Sequence, residues 1–139
     1  MSDAGAIEPT AEQVKRLAAS SDGGPIVMVN LLRFKDEAGP PDEGVSGAEA
    51  YARYAAAIPP FLERAGGRVL NAVACQDSVI GPDVAEWDMV ALVSYPSREA
   101  FLGMVSDPEY LEIQQHRAAA LADSRLVVSS LVTPPGAGG

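Results

Sequence analysis

The sequence is poor in the residues that most often mark a reactive site. Among 139 residues there is one Cys and one His. That excludes an intramolecular disulfide framework and any multi-thiolate or multi-histidine metal centre within one protomer. Positive charge is also scarce, with 10 Lys and Arg against 19 Asp and Glu and a net charge of −9. Nucleic acid is then a poor partner, because its phosphates demand clustered cations, and an anionic membrane surface is no better. Long apolar runs are missing. The longest, Pro25 to Leu32, falls well short of the roughly 20 residues of a membrane helix. Asp3, Glu8 and Glu12 lie within the first fifteen residues, where a signal peptide would carry its apolar core. No dinucleotide fingerprint, phosphate-binding loop, nucleophile elbow or zinc-helix motif occurs. These absences lead us to expect a cytoplasmic protein that uses neither metal nor cofactor. A core is nevertheless available, since 47% of the residues are hydrophobic, enough for one ordinary globular domain.

Punctuation by Gly, Pro and capping residues divides the chain into a helical extension over 1–24, a core over 25–132 and a flexible tail over 133–139. Thr10 with Gln13 three residues later is a capping box that opens a short helix. Pro25 to Phe34 reads as the first strand, followed by a mobile loop over 36–47. Ala48 to Ala65 reads as a helix with Tyr51, Tyr54, Ile58, Phe61 and Leu62 on one face, kinked or restarted at Pro59-Pro60 and ended by Gly66-Gly67. Arg68 to Ile80 and Asp88 to Tyr95 are the next strands. Ser97 caps a third helical stretch, Asp107-Pro108-Glu109 starts another that runs to about Ala122, and Arg125 to Val132 closes the pattern. The order βαββαβ predicts an α+β, ferredoxin-like sandwich with an antiparallel sheet.

The first strand is apolar on both faces. Ile26, Met28 and Leu32 point one way and Val27, Val29 and Leu31 the other, whereas a sheet with one wet face alternates apolar with polar. Two main helices cover one face of a four-stranded sheet. A second copy packed across a two-fold axis is the expected cover for the other, and the alternative is the N-terminal helix folded over it.

Several segments together resemble the domain of unknown function 1330 family: Tyr51-Ala52-Arg53-Tyr54, Pro59-Pro60-Phe61-Leu62-Glu63, Gly66-Gly67-Arg68, Tyr95-Pro96-Ser97-Arg98-Glu99-Ala100-Phe101, Asp107-Pro108-Glu109-Tyr110 and His116-Arg117. The likeness covers roughly Pro25 to Val132. It implies a ferredoxin-like protomer of the dimeric α/β-barrel superfamily, which includes cofactor-free monooxygenases, isomerases, decarboxylases and non-catalytic members. Fold analogy does not choose among them. The N-terminal helix and the long first loop look like additions to the family's core pattern.

Six side chains are candidates for a ligand site, each with a structural alternative. Asn30 is the one amide in an apolar strand and must satisfy both its oxygen and its nitrogen, through a ligand or through a nearby loop or helix end. Arg33, at the end of that strand, is either a carboxylate clamp or a solvated strand terminus or partner of Asp36 or Glu37. Tyr54 shares the inward stripe of its helix with Tyr51 and is either a cleft hydroxyl or core. Trp87 walls a pocket or seals a dimer rim. His116 is a potential base, but Glu112 one turn earlier offers an exposed ion pair, so replacing His116 is expected to do little. Arg117 is an anion clamp or a buried structural pair with Asp88 or Asp123. Cys75 reads as a small buried hydrophobe.

Two functions fit these residues. One is a metal-free, cofactor-free enzyme acting on a small organic molecule in a cleft between sheet and helices, with Asn30 polarising the substrate, Tyr54 as acid or orienter, and Arg33 or Arg117 clamping an anion. The other is a non-catalytic ligand-binding or dimeric assembly module. An open cavity with converging Asn, Tyr and Arg favours the first.

Overall fold

The computed structural model describes residues 5–20 and 23–132, so the expected tail lies outside the described residues. Its elements are α1 (Ala11–Ala19), β1 (Ile26–Phe34), α2 (Gly47–Ala57), α3 (Pro59–Ala65), β2 (Arg68–Ala74), β3 (Met89–Tyr95), α4 (Arg98–Val105), α5 (Pro108–Ala120) and β4 (Leu121–Ser129). The four strands form one sheet in the order β2-β3-β1-β4. All three pairings are antiparallel, which is the ferredoxin-like arrangement.

Local chemistry sets most helix ends. Thr10, Ser46, Ser97 and Asp107 each accept a first-turn amide, and the boxes at Thr10 and Ser46 close reciprocally with Gln13 and Glu49. Two successive prolines lack amide donors, so the expected long helix divides at Ile58, which caps α2 and opens α3. Gly66 ends α3 in the left-handed conformation at φ 75°, where a side chain would be strained.

The limits of β2 and β4 differ from the sequence reading, and β4 closes at Ser129 instead of Val132. β2 ends at Ala74 instead of Ile80, because β3 starts only at Met89 and Ala74↔Met89 is their last paired position. Val79 and Ile80, without a neighbour to pair with, stand 97% and 95% exposed. β4 starts at Leu121, directly from α5, because β1 extends to Phe34 and offers pairing as far as Phe34↔Leu121.

The first loop also departs from expectation. Ala38 N–H donates to the Val45 carbonyl at 2.9 Å and Gly39 N–H to the Ala119 carbonyl at 3.0 Å, while Asp42 is 2% exposed. Residues 36–47 are thus packed against α5.

Even-numbered residues of β1 face the helices. Ile26 and Met28 join Tyr54, Leu62, Tyr95, Met104 and Tyr110 in the main core, and Leu32 joins Ala38, Ala50, Ala120 and Leu121 in a second. Helix α1 contacts α4 and inserts Leu17 against the main core; it therefore sits on the helical side of the sheet, and does not cover the second face. That second face carries Val29, Leu31, Val90 and Leu92, all half-buried, with Val73 and Val127 about half exposed. Among the described residues no helix is long and apolar enough to cross a membrane.

Candidate functional site

The helical layer does not close onto the sheet. Between them lies an open cleft of about 1370 Å³, larger than most small-molecule sites. Its volume follows from the sequence: Ala72 and Ala91 on the sheet and Ala52 and Ala55 on α2 line it, where larger side chains would fill it. Met28, Asn30, Val93 and Leu126 complete the sheet side, and Tyr51, Tyr54, Phe101, Tyr110, Arg98 and Arg117 form much of the helical side.

An aromatic chain runs along one wall. Phe34–Tyr51 and Tyr51–Tyr54 ring centroids are 5.4 Å apart, and Tyr54 meets Tyr110 edge-on at 6.3 Å. The Tyr54 and Tyr110 hydroxyls share a 2.8 Å hydrogen bond. One of them donates, so the acceptor's own proton remains available to a third group. Burial raises the pKa of Tyr51, Tyr54 and Tyr110, although the Arg117 charge opposes the rise in all three. These phenols stay neutral and act as orienting donors and acceptors, not as bases.

Asn30, half-buried on the cleft side of β1, places its Nδ2 3.4 Å from the carbonyls of both Met28 and Ala91. The expected bond to a loop or helix end is replaced by two long contacts within the sheet. Both acceptors are carbonyls, so the amide nitrogen must face them. The Asn30 carbonyl oxygen then has no partner among the described residues, and the group offers the cleft an acceptor instead of a polarising donor.

Arg117 is 9% exposed. Its Nη1 donates to the Ile7 carbonyl at 2.9 Å. It pairs with neither Asp88 nor Asp123: Asp88 accepts from Phe34 N–H at 2.8 Å, and Asp123 engages Arg33 and Arg125. The Ile7 carbonyl belongs to an N-terminal strap laid over the cleft, also held by Ala6 N–H donating to Asp123 and by Ser124 Oγ donating to the Ala6 carbonyl.

Three of the six candidates lie away from the cleft. Arg33 pairs with Asp123 at 3.2 Å, not with Asp36 or Glu37. Trp87 lies between two guanidiniums, Arg33 at 5.7 Å and Arg125 at 5.2 Å from its ring. His116 bonds Asp42 instead of Glu112, with Nδ1 2.7 Å from Oδ2, and Arg53 holds the other Asp42 oxygen. Desolvation would raise the Asp42 pKa, but the hydrogen bonds and charges of His116 and Arg53 outweigh it and hold the carboxyl below its ordinary value. Cys75 is half-buried and free. Among the described residues no three His, Cys, Asp or Glu side chains are grouped to hold a metal ion.

The sequence reading passed over Arg98, Tyr110 and Ser124 at the cleft and Asp42 within the first loop. Arg98 did leave a signal, as a cation in the first turn of a helix where the dipole favours acids.

The family model described as "Domain of unknown function (DUF1330)" matches residues 43–131. The crystal structure of RPA0582, a protein of unknown function from Rhodopseudomonas palustris, is 42% identical, with a TM-score of 0.86 over 94% of this chain and 99% of that one. Its methylated form is 41% identical, with a TM-score of 0.85 over 94% and 98%. At3g17210 from Arabidopsis thaliana shares the fold alone, at 17% identity and a TM-score of 0.53 over 78% of this chain and 96% of that one. No curated protein matches this chain significantly.

Proposed function

The chain belongs to the DUF1330 family of proteins of unknown function, and on that premise we propose that its cleft binds a small organic molecule and acts on it without metal or nucleotide. The observation that carries this reading is the set of polar groups among the wall's apolar residues: Asn30, the Tyr54–Tyr110 hydroxyl pair and Arg117. The Asn30 oxygen, unpartnered among the described residues but not enclosed, reaches the open cleft as a free acceptor. The chemistry such a wall supports is electrostatic: neutral phenols orient, Asn30 accepts, and Arg117 stabilises negative charge. A second reading, non-catalytic ligand binding, is favoured by the wall's lack of a histidine, the one His being engaged with Asp42 outside it.

A thermal-shift screen of small organic molecules on the wild type, Asn30→Leu and Arg117→Gln tests this. Hits are expected to raise the wild-type melting temperature, and to lose that effect in one or both variants, while unliganded Asn30→Leu is as stable as wild type. Hits that survive both substitutions would place binding elsewhere and sink the reading. Mass spectrometry of each hit after aerobic incubation with metal-free protein separates conversion from binding.

The same reading includes a homodimer in the cytoplasm. The second sheet face, with Val29, Leu31, Val90 and Leu92, has no cover from α1 or any other described helix. Two such faces packed together bury what one leaves wet, with Trp87 near the rim. Light scattering at micromolar concentration is expected to give twice the chain mass, and Leu92→Glu to give the monomer. A wild-type monomer would refute the assembly.

A further inference from the structure

Charge is distributed against the grain of this molecule. The chain holds 19 acidic and 10 basic residues, yet the cleft wall includes Arg16, Arg98, Arg117 and Arg125 and a single acid, Glu8. Arg125 is neutralised by Asp123 at 2.8 Å. Arg98 and Arg117 have no carboxylate partner among the described residues. Arg98 Nε is fully enclosed and has no hydrogen-bond partner, the one such side-chain nitrogen or oxygen found among the described residues. Arg98 is also the first residue of α4, where the exposed amides already carry partial positive charge and a cation is unfavourable. Arg98, an uncompensated cation lining the cleft with no carboxylate or hydrogen-bond partner among the described residues, makes a place where an anion would be stabilised by charge and by hydrogen bonds from its terminal guanidinium nitrogens. Apolar Phe101, Leu102 and Val105 follow Arg98 on the same wall, so the anion's body meets hydrocarbon.

We infer that the ligand of this cleft is an apolar organic acid bound as its anion, with Arg98 as the group that pairs with the acid. The inference rests on the cleft being the small-molecule site and names the class of molecule it takes. Arg117 is tied to the strap through Ile7, so its replacement loosens the cleft roof, whereas Arg98 has no such tie among the described residues and its replacement reports on the ligand.

The test uses the full chain and matched pairs of carboxylate and neutral amide: benzoate and benzamide, phenylacetate and phenylacetamide, 2-naphthoate and 2-naphthamide, decanoate and decanamide. Calorimetric titration is run on the wild type, Arg98→Gln and Arg98→Lys at constant ionic strength. At least one acid is expected to bind the wild type tenfold or more tightly than its amide. In Arg98→Gln that preference falls to threefold or less with amide affinity unchanged, and in Arg98→Lys part of it returns. Equal binding of acid and amide to the wild type would overturn the anion assignment and leave the small-molecule cleft standing. A preference that survives Arg98→Gln would remove Arg98 from the role. Failure of every acid and every amide to bind would overturn the anion assignment and the cleft reading together.

Discussion

Replacing Asp42 by Asn is expected to destabilise the protein by about 2–4 kcal/mol, at or just below the usual cost of breaking a buried ion pair. Asp42 is 2% exposed and bonded on one oxygen by His116 and on the other by Arg53. Both partners reach water, with side chains 31% and 50% exposed, which moderates the loss through solvent screening. The damage spreads because Asp42 fixes the 36–47 loop to α2 and α5 at once. For a chain of this size the shift corresponds to a melting temperature lower by roughly 8–15 °C. The pH dependence has a definite sign. The folded carboxyl is held below its ordinary value of 3.8, so its contribution is present above that pH and is lost as the pH falls towards the folded value. Melting curves of wild type and Asp42→Asn from pH 3 to 6 are expected to differ most at the upper end and to converge below about pH 4. Equal stabilities at pH 6 would show that the cluster contributes nothing. His116→Ala is expected to cost less, because Arg53 still pairs with the carboxylate. It is not silent, as an exposed pair with Glu112 would have made it.

Elements set by neighbours in sequence were legible, and those set by neighbours in space were not. Thr10, Ser97 and Asp107 announce helices because a cap is a contact between residues two or three apart. The fold class follows from the strand–helix order. The ends of β2 and β4 were misread because a strand stops where its partner stops, and Val79 and Ile80 are as apolar as any strand residue. Asn30, Tyr54 and Arg117 stood out as polar side chains within apolar stripes, and all three line the cleft. Arg98 and Asp42 carry charges that no local sequence pattern singles out as a site. What distinguishes Asp42 is His116, 74 positions later. What distinguishes Arg98 is a missing partner, which no sequence displays. The pairing guesses based on proximity failed for the same reason: Arg33 finds Asp123 across the sheet, 90 positions away, in preference to Asp36 or Glu37.

A methyl group added at Gly47 is expected to be among the most disruptive small changes in the chain, costing about 3 kcal/mol, the upper end of the usual overpacking range. Gly47 is the first residue of α2 and its N–H donates to the Lys35 carbonyl at 3.0 Å, while Lys35 N–H donates to the Ala120 carbonyl at 2.8 Å. Three backbone segments therefore meet at this point: the end of β1, the start of α2 and the end of α5. A Cβ on Gly47 would overlap the Lys35 carbonyl oxygen and lie 2.6 Å from the Ala120 carbonyl oxygen and 2.7 Å from the Lys35 nitrogen. All three are backbone atoms with no rotamer through which to retreat. The helix must shift, and Tyr51 and Tyr54 shift with it, so the change at Gly47 reaches the cleft through α2. Gly103 supplies the control of opposite sign. It lies inside α4 with nothing within 4 Å of an added Cβ, and Gly→Ala in a helix interior gains roughly 0.5–1 kcal/mol. Urea denaturation of Gly47→Ala and Gly103→Ala beside wild type is expected to move the two midpoints in opposite directions. A Gly47→Ala midpoint within error of wild type would mean that the three segments are not held as closely as this junction requires.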